Sequence, residues 1–362
     1  MAQRTAQVVH IVQRMAPGGI ETLVLDLIGR TGLGGAIFSL EGTIGVLISG
    51  WPQLESYRQR LTTFDRKPGL RPALCLQVAR HLRTLSPTVV VTHHLGPLVY
   101  GGLAARLAGV PCLVHVEHDI WHYENPRARL LAKLVAKLAR PHHVAVSQSV
   151  ANGMKRIFKS ADVMVVPPAI DTNRFLPGDR NRARQRLGFQ ANWKVIGTVG
   201  RIVPIKGHAI LIQALATLPP DTHLAIVGEG SEVENLKAIA TNIDVGTRLH
   251  FLGHRDDVEH IFPAFDVFCL PSLAEGLPRT VLEAQSCGLP VVASDVGGLS
   301  EAIYARTGKL VPPADPIALA KALHQVLNQP FETRSTREFI EREFSWSRTL
   351  GAYDGFLEPY KC

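Results

Sequence analysis

The sequence is poor in the features that would take it out of the ordinary globular class. Only 19% of its 362 residues are charged and 6% aromatic, and its 31 glycines and 24 prolines are spread along the chain. That pattern excludes disordered, collagenous and coiled-coil chains. Cysteine is scarce: Cys75, Cys112, Cys269, Cys287 and Cys362 are odd in number and form no Cys-x-x-Cys pair. They read as reduced thiols of an intracellular protein rather than as a disulfide framework. No stretch reaches the roughly 18 apolar residues of a membrane helix; the nearest, 33–51, is broken by five glycines and Glu41. The start, MAQRTAQVVHIVQRM, lacks the apolar core of a signal peptide, and its hydrophobic run has strand length. A cytoplasmic protein is expected, attached at most to the inner face of a membrane.

What is present is 46% hydrophobic residues over a length that calls for two domains. Charge is uneven. Residues 1–170 carry 19 Lys and Arg against 9 Asp and Glu, whereas 171–362 carry 20 against 22, within a total of +8. The basic half implies an anionic partner: nucleic acid, a membrane surface or a phosphorylated substrate.

Short apolar runs alternate with amphipathic segments, as in βαβ units with parallel sheets. The first half offers strands at 7–13, 36–40, 88–92, 112–117, 142–146 and 163–166, with helices near 71–86, 97–108, 127–140 and 148–158. A second series has strands at 194–200, 223–227, 249–252, 267–270, 291–294 and 309–311, with helices near 207–217, 231–241, 280–287 and 316–328. Between them VPPAIDTNRFLPGDRN, residues 166–181, reads as a connector. The expected organisation is an α/β chain of two doubly wound domains, 1–167 and 168–345, facing a central cleft. A terminal helix over 346–362, with Trp346, Tyr353, Phe356 and Tyr360 at helical spacing, is expected to pack back on the first domain. Doubly wound domains bind ligands at the carboxyl ends of their strands.

Five stretches carry candidate chemistry. In PSLAEGLPRTVLEAQSCGLPVVASDVGG, 271–298, a strand ends in Glu275-Gly276-Leu277-Pro278 and a helix follows. Its first N–H groups suit a diphosphate. Glu275 and Glu283 would bracket the ligand, although Thr280-x-x-Glu283 has the spacing of a capping box. In GTVGRIVPIKGH, 197–208, Arg201 and Lys206 follow a strand and suit the same diphosphate. Gly18 and Gly19 open the first helix, and Gly228-Glu229-Gly230 follows a strand, yet neither makes the Gly-x-Gly-x-x-Gly dinucleotide fingerprint.

LVHVEHDIWH, 113–122, holds three histidines and two acids. Strand alternation points His115 and Glu117 one way and His118 the other, which argues against a metal site. His118 and Asp119, at the strand's carboxyl end, are placed to meet a sugar hydroxyl or an acceptor, with a buried structural histidine as the alternative. In NPRARLLAKLVAKLARPHH, 125–143, Arg127, Arg129, Lys133 and Lys137 alternate with leucines, and no acid stands between Arg127 and Asp162. This is the pattern of an interfacial helix on an anionic membrane, and equally of a packed helix with a solvated basic face.

Together these segments resemble the GT-B glycosyltransferases of family 4, the retaining group 1 enzymes. SLAEGLPRTVLEAQSCGLPVVASDVGG carries the family's E-x7-E element as Glu275 and Glu283, and GRIVPIKG its Arg201 and Lys206. HRDDVEHIFPAFDVFCLPS and the early GGIE fit as well. The resemblance implies that Arg201, Lys206 and the N–H groups of Gly276 and Leu277 hold the donor diphosphate. It makes Glu283 the ribose contact, Glu275 and His118 the catalytic residues against the transferred sugar, and Gly18 and Gly19 the loop facing acceptor and donor. Asp119 falls on the acceptor side.

The chain contains no Asp-x-Asp, which fits a metal-independent site with no cofactor beyond a nucleotide sugar, expected to be a UDP-sugar. A hexose or N-acetylhexosamine would pass to a glycan or lipid-linked acceptor of cell-envelope polysaccharide, without a nucleic-acid partner. The alternatives are a non-catalytic sugar- or polyphosphate-binding subunit and a dinucleotide-dependent oxidoreductase; the missing fingerprint glycines weigh against the latter.

Overall fold

A computed structural model describes residues 8–30, 35–159, 162–330 and 332–357. Gln7, Leu33, Gly34, Tyr360 and Cys362, each part of an expectation above, lie outside the described residues. The chain divides into two compact units.

The first unit runs to Pro168 and resumes at Thr349. Its strands are β1 Val8–Val12, β2 Gly35–Ser39, β3 Leu61–Thr63, β4 Val89–His93, β5 Cys112–Glu117, β6 His142–Ala145 and β7 Val163–Val165. They form one parallel sheet in the order β3-β2-β1-β4-β5-β6-β7. VVHIV, VVVTH and CLVHVE are buried along their whole length because helices cover both faces of such a sheet. One face packs Val9, Ile11, Phe38, Val90 and Leu113 against Leu74, Val78, Ala104 and Val135; the other gathers Val12, Val24, Ile28, Ile37, Leu47 and Trp51. The helical run from Leu95 to Ala108 passes through one wider turn at Leu98–Gly102. There a side chain on Gly101 would stand 2.6 Å from Ile11, so glycine lets the helix approach β1. The strand β3 was not expected, since three residues reading Leu-Thr-Thr give no periodicity to detect.

The second unit, Ala169–Arg348, holds β8 Lys194–Val199, β9 Thr222–Val227, β10 Leu249–Gly253, β11 Val267–Leu270, β12 Val291–Ser294 and β13 Lys309–Val311. Its parallel sheet runs β10-β9-β8-β11-β12-β13, the strand order of a dinucleotide-binding Rossmann sheet. Strand order reverses between β1 and β4 in the first sheet and between β8 and β11 in the second, and a ligand crevice opens beyond the carboxyl ends at such a point.

The connector ends in a helix, Arg180–Leu187, that is almost wholly polar, yet Arg184 on it is only 1% exposed. Its guanidinium donates to the carbonyls of Ala264, Ala191 and Trp193 at 3.0, 3.0 and 2.8 Å, and to Asp266 Oδ2 at 2.6 Å. Asp266 Oδ2 also accepts from the N–H of Val195 at 2.7 Å. One arginine therefore ties the connector to the starts of β8 and β11. The last helix, Trp346–Leu357, carries a hydrogen bond from Thr349 Oγ1 to the Pro167 carbonyl at 2.9 Å and buries Tyr353.

Candidate active site

In the second unit the loops leaving β8 and β11 are pressed together by glycines. A Cβ on Gly207 would stand 2.1 Å from the Pro271 carbonyl, and one on Gly297 1.9 Å from that of Glu275. The N–H of Leu273 donates to Ile205 at 2.8 Å and that of Gly298 to Gly276 at 2.6 Å. Gly228 and Gly230 belong to the same scaffold: side chains there would meet the carbonyls of Gly200 and Ile202 at 2.0 Å. Close backbone packing, not a cofactor fingerprint, accounts for that pair.

On this scaffold Lys206 Nζ donates to Glu275 Oε1 at 2.6 Å, and Ser272 Oγ donates to the same oxygen at 2.6 Å. The structure therefore brings together two residues that lie 69 positions apart. Gly276 and Leu277 are buried, and neither N–H donates to a partner among the described residues. N–H groups left without a partner just ahead of a helix suit an anion.

The helix begins at Arg279, with Pro278 as its N-cap, so Thr280 already lies inside it. That removes the capping-box alternative for Glu283, because the box needs its threonine at the N-cap. Glu283 is 8% exposed and pairs with Arg279, one turn earlier, at 3.8 Å. Arg201 is exposed and makes no side-chain hydrogen bond or ion pair among the described residues.

In the first unit Gly18 and Gly19 stand where β1 hands over to the helix Gly19–Arg30. Gly19 has open space around it, whereas a side chain on Gly18 would meet only the flexible end of Glu21. Packing within the unit therefore does not require glycine at 19.

β4 ends in His93 and is followed by His94; β5 ends in Glu117 and is followed by His118. His118, half-buried, is the last ring of a file in which the buried His10 Nδ1 lies 3.2 Å from the buried His93 Nε2, and His93 Nδ1 3.0 Å from His118 Nε2. Burial, and then the charge on His94, push His118 down to about 3, and burial pushes His10 down to about 4. These rings are neutral at physiological pH, and in each pair one nitrogen donates while the other accepts.

On the opposite side of β5, as strand alternation predicts, Glu117 is completely buried. It accepts from His94 Nδ1 and from Tyr123 Oη, each at 2.5 Å. Burial works against its charge, but the charge on His94 and its hydrogen bond, with the nearby His115 and His122 rings, hold it well below the usual carboxylate range. Asp119 points back at His122 Nδ1, 2.9 Å away. Sequence reading missed His10, His93, His94 and Tyr123; the only signal was the His-His pair closing a strand.

The helix Pro126–Ala139 buries a face of small residues, Ala132, Val135 and Ala139. Leu130, Leu134 and Leu138 are instead 69, 55 and 59% exposed. Arg127, Arg129 and Lys137 are exposed and Lys133 half-buried. The amphipathic stripe read from sequence therefore has two parts: alanine and valine face inward, and a row of leucines at i, i+4, i+8 faces outward among cations. At the carboxyl ends of β1 to β3, Arg14, Glu41, Thr43, Arg66 and Lys67 line a concavity of about 390 Å³ that sequence reading did not single out.

Two family models match, "Glycosyltransferase Family 4" over residues 8–174 and "Glycosyl transferases group 1" over 179–344. A D-inositol 3-phosphate glycosyltransferase of Rhodococcus opacus is 30% identical over 330 residues, covering 82% of this chain and 73% of its own. The chain belongs to the group 1 glycosyltransferases. Another relative, the Escherichia coli UDP-Gal:alpha-D-GlcNAc-diphosphoundecaprenol alpha-1,3-galactosyltransferase, is 32% identical over 232 residues. The match covers 58% of this chain and spans 58% of that relative's length. Among solved structures, Anabaena HepE in complex with UDP superposes with a TM-score of 0.83 at 23% identity over 97% of this chain and 100% of that one. This similarity carries the two-domain glycosyltransferase fold.

Proposed function

We propose that this glycosyltransferase moves a hexose or N-acetylhexosamine from a UDP-sugar to a glycan or lipid-linked acceptor of cell-envelope polysaccharide. One observation supports the donor reading: Lys206 and Ser272 meet Glu275 where the loops leaving β8 and β11 come together, at the switch point of the second sheet. The names of the relatives support UDP as the carrier. The E. coli enzyme uses UDP-Gal, and HepE was solved with UDP.

Breaking the bond from the anomeric carbon to the diphosphate builds positive charge on the sugar and negative charge on the leaving UDP. Lys206, Arg201 and the Gly276 and Leu277 N–H groups stabilise the latter. Glu275, oriented by Lys206 and Ser272, holds hydroxyls of the transferred sugar. Glu283 takes the ribose, and neutral His118 offers a ring nitrogen to a sugar hydroxyl. Gly19 leaves room for the donor; Gly18 and Asp119 stand on the acceptor side. No side chain is assigned as an enzymic nucleophile, so we propose retention by front-face attack, in which the acceptor oxygen enters on the side the diphosphate leaves.

The test is a thermal-shift panel of nucleotide sugars on the full chain. A UDP-sugar should raise the Tm, because a ligand that binds only the folded state stabilises it by mass action. Glu283→Ala should abolish that shift while leaving the Tm of the free protein within a few degrees. An unchanged shift in the variant removes Glu283 from the donor site.

The outward face of Pro126–Ala139 supports peripheral contact with an anionic membrane carrying the acceptor. Its leucines enter the interface, and Arg127, Arg129, Lys133 and Lys137 meet lipid phosphates. Replacing the four cations by glutamine should abolish cosedimentation with vesicles rich in anionic lipid, and undiminished binding would sink the idea.

A further inference from the structure

The buried carboxylate Glu117 lies between two imidazoles whose outward nitrogens converge on a second carboxylate. His94 turns Nδ1 to Glu117 Oε1, at 2.5 Å, and its Nε2 lies 3.7 Å from Asp119 Oδ2. His122 repeats the arrangement with its nitrogens exchanged: Nε2 lies 3.6 Å from Glu117 Oε2, and Nδ1 2.9 Å from Asp119 Oδ1. The three outer groups keep one ligand atom each within 4.8 Å of one another. A tetrahedral ion with bonds of about 2.0–2.2 Å needs ligand atoms roughly 3.4 Å apart, so small rotations of these side chains suffice.

From this geometry we propose that His94, Asp119 and His122 bind a divalent transition metal, Zn²⁺ foremost, with Glu117 orienting both imidazoles from behind. Three observations carry this beyond a hydrogen-bonded cluster. Metal-bound histidines characteristically donate their other N–H to a carboxylate, and here one fully buried glutamate faces both rings. Tyr123 Oη donates to the same glutamate at 2.5 Å and locks it in place. His94 holds the backbone at φ 67°, a region that a non-glycine residue enters at a cost and that concentrates at functional sites. The strain swings its ring off the end of β4 toward Glu117 and Asp119.

The donor set, two imidazoles and one carboxylate with further positions open to water, is that of zinc rather than of magnesium or calcium, which take oxygen ligands. The two carboxylates together match the charge of a dication. In sequence the site is split between His94 and the Asp119-x-x-His122 turn, and it forms because β4 and β5 are neighbours in register. Its metal joins the end of β4 to the loop that carries His118.

Co²⁺ titration of the full chain after chelator treatment tests the proposal without any sugar transfer. One equivalent should develop the intense visible bands of low-coordinate Co²⁺, and Zn²⁺ should quench them. His122→Ala and Asp119→Asn, both at the rim of the site, should each weaken binding at least tenfold at unchanged far-UV circular dichroism. His81→Ala, a surface histidine elsewhere, should bind as the wild type does. Glu117→Gln should weaken binding by about 10–100-fold. No band at one equivalent, or the same affinity in folded His122→Ala and Asp119→Asn proteins, would overturn the site. If one rim variant fails to fold, the other decides.

Discussion

Lys206→Ala should lower kcat for sugar transfer by about 10²–10³-fold, the effect of removing one preorganised group that stabilises charge developing on a leaving group or oxyanion. Folding should be little affected, because Lys206 lies in a loop at the carboxyl end of β8, outside the core. The pair with Glu275 complicates the reading: the substitution also removes a donor from Glu275 Oε1, leaving Ser272. Steady-state kinetics on Lys206→Ala, Glu275→Gln and the double variant separate the two roles. If Lys206 acts on the diphosphate, the double variant is at least as slow as Lys206→Ala. If its only task is to neutralise Glu275, Glu275→Gln restores most of the lost turnover. Unchanged turnover in Lys206→Ala would remove it from the diphosphate site altogether.

Arg184→Ala should destabilise the second unit by about 3–5 kcal/mol, the range seen when one partner of a buried ion pair is deleted. The change strands the carbonyls of Ala264, Ala191 and Trp193 and leaves half of the Asp266 carboxylate with only the Val195 N–H. Each orphaned buried group costs its own desolvation. Urea unfolding of the full chain should show a lower midpoint at an unchanged slope for that transition. Arg184→Lys should rescue little, since one ammonium cannot span the positions that the guanidinium fork reaches. A midpoint loss worth less than about 1 kcal/mol, the value of an exposed pair, would assign Arg184 to the surface instead.

These two residues also show where sequence reading stops. Lys206 stood out in the sequence because GRIVPIKG places a cation a few residues beyond a strand end, and strand ends are where doubly wound sheets bind ligands; its contact with Glu275 did not. Arg184 was not, because RNRARQRL has four arginines with nothing local to distinguish them. Which one is buried depends on Ala264 and Asp266, some 80 positions away. Glu283 lies between these cases: its spacing from Glu275 was visible, but only the helix start at Arg279 removed the capping alternative.

The basic helix divides in the same way. Leucines alternating with cations were plain in the sequence, yet periodicity alone could not tell which apolar residues turn inward. Packing selected Ala132, Val135 and Ala139, small enough for close approach, and turned Leu130, Leu134 and Leu138 outward.

The sequence by itself determined the two parallel sheets, most of their helices and the position of each strand-end motif, because hydrophobic period and turn residues are local properties of the chain. Tertiary structure alone decided which strand ends became neighbours. It set Glu275 against Lys206, lined up His10, His93 and His118, and brought His94 to Asp119 and His122. Strand order is set by the packing of whole sheets, and no short window of residues records it.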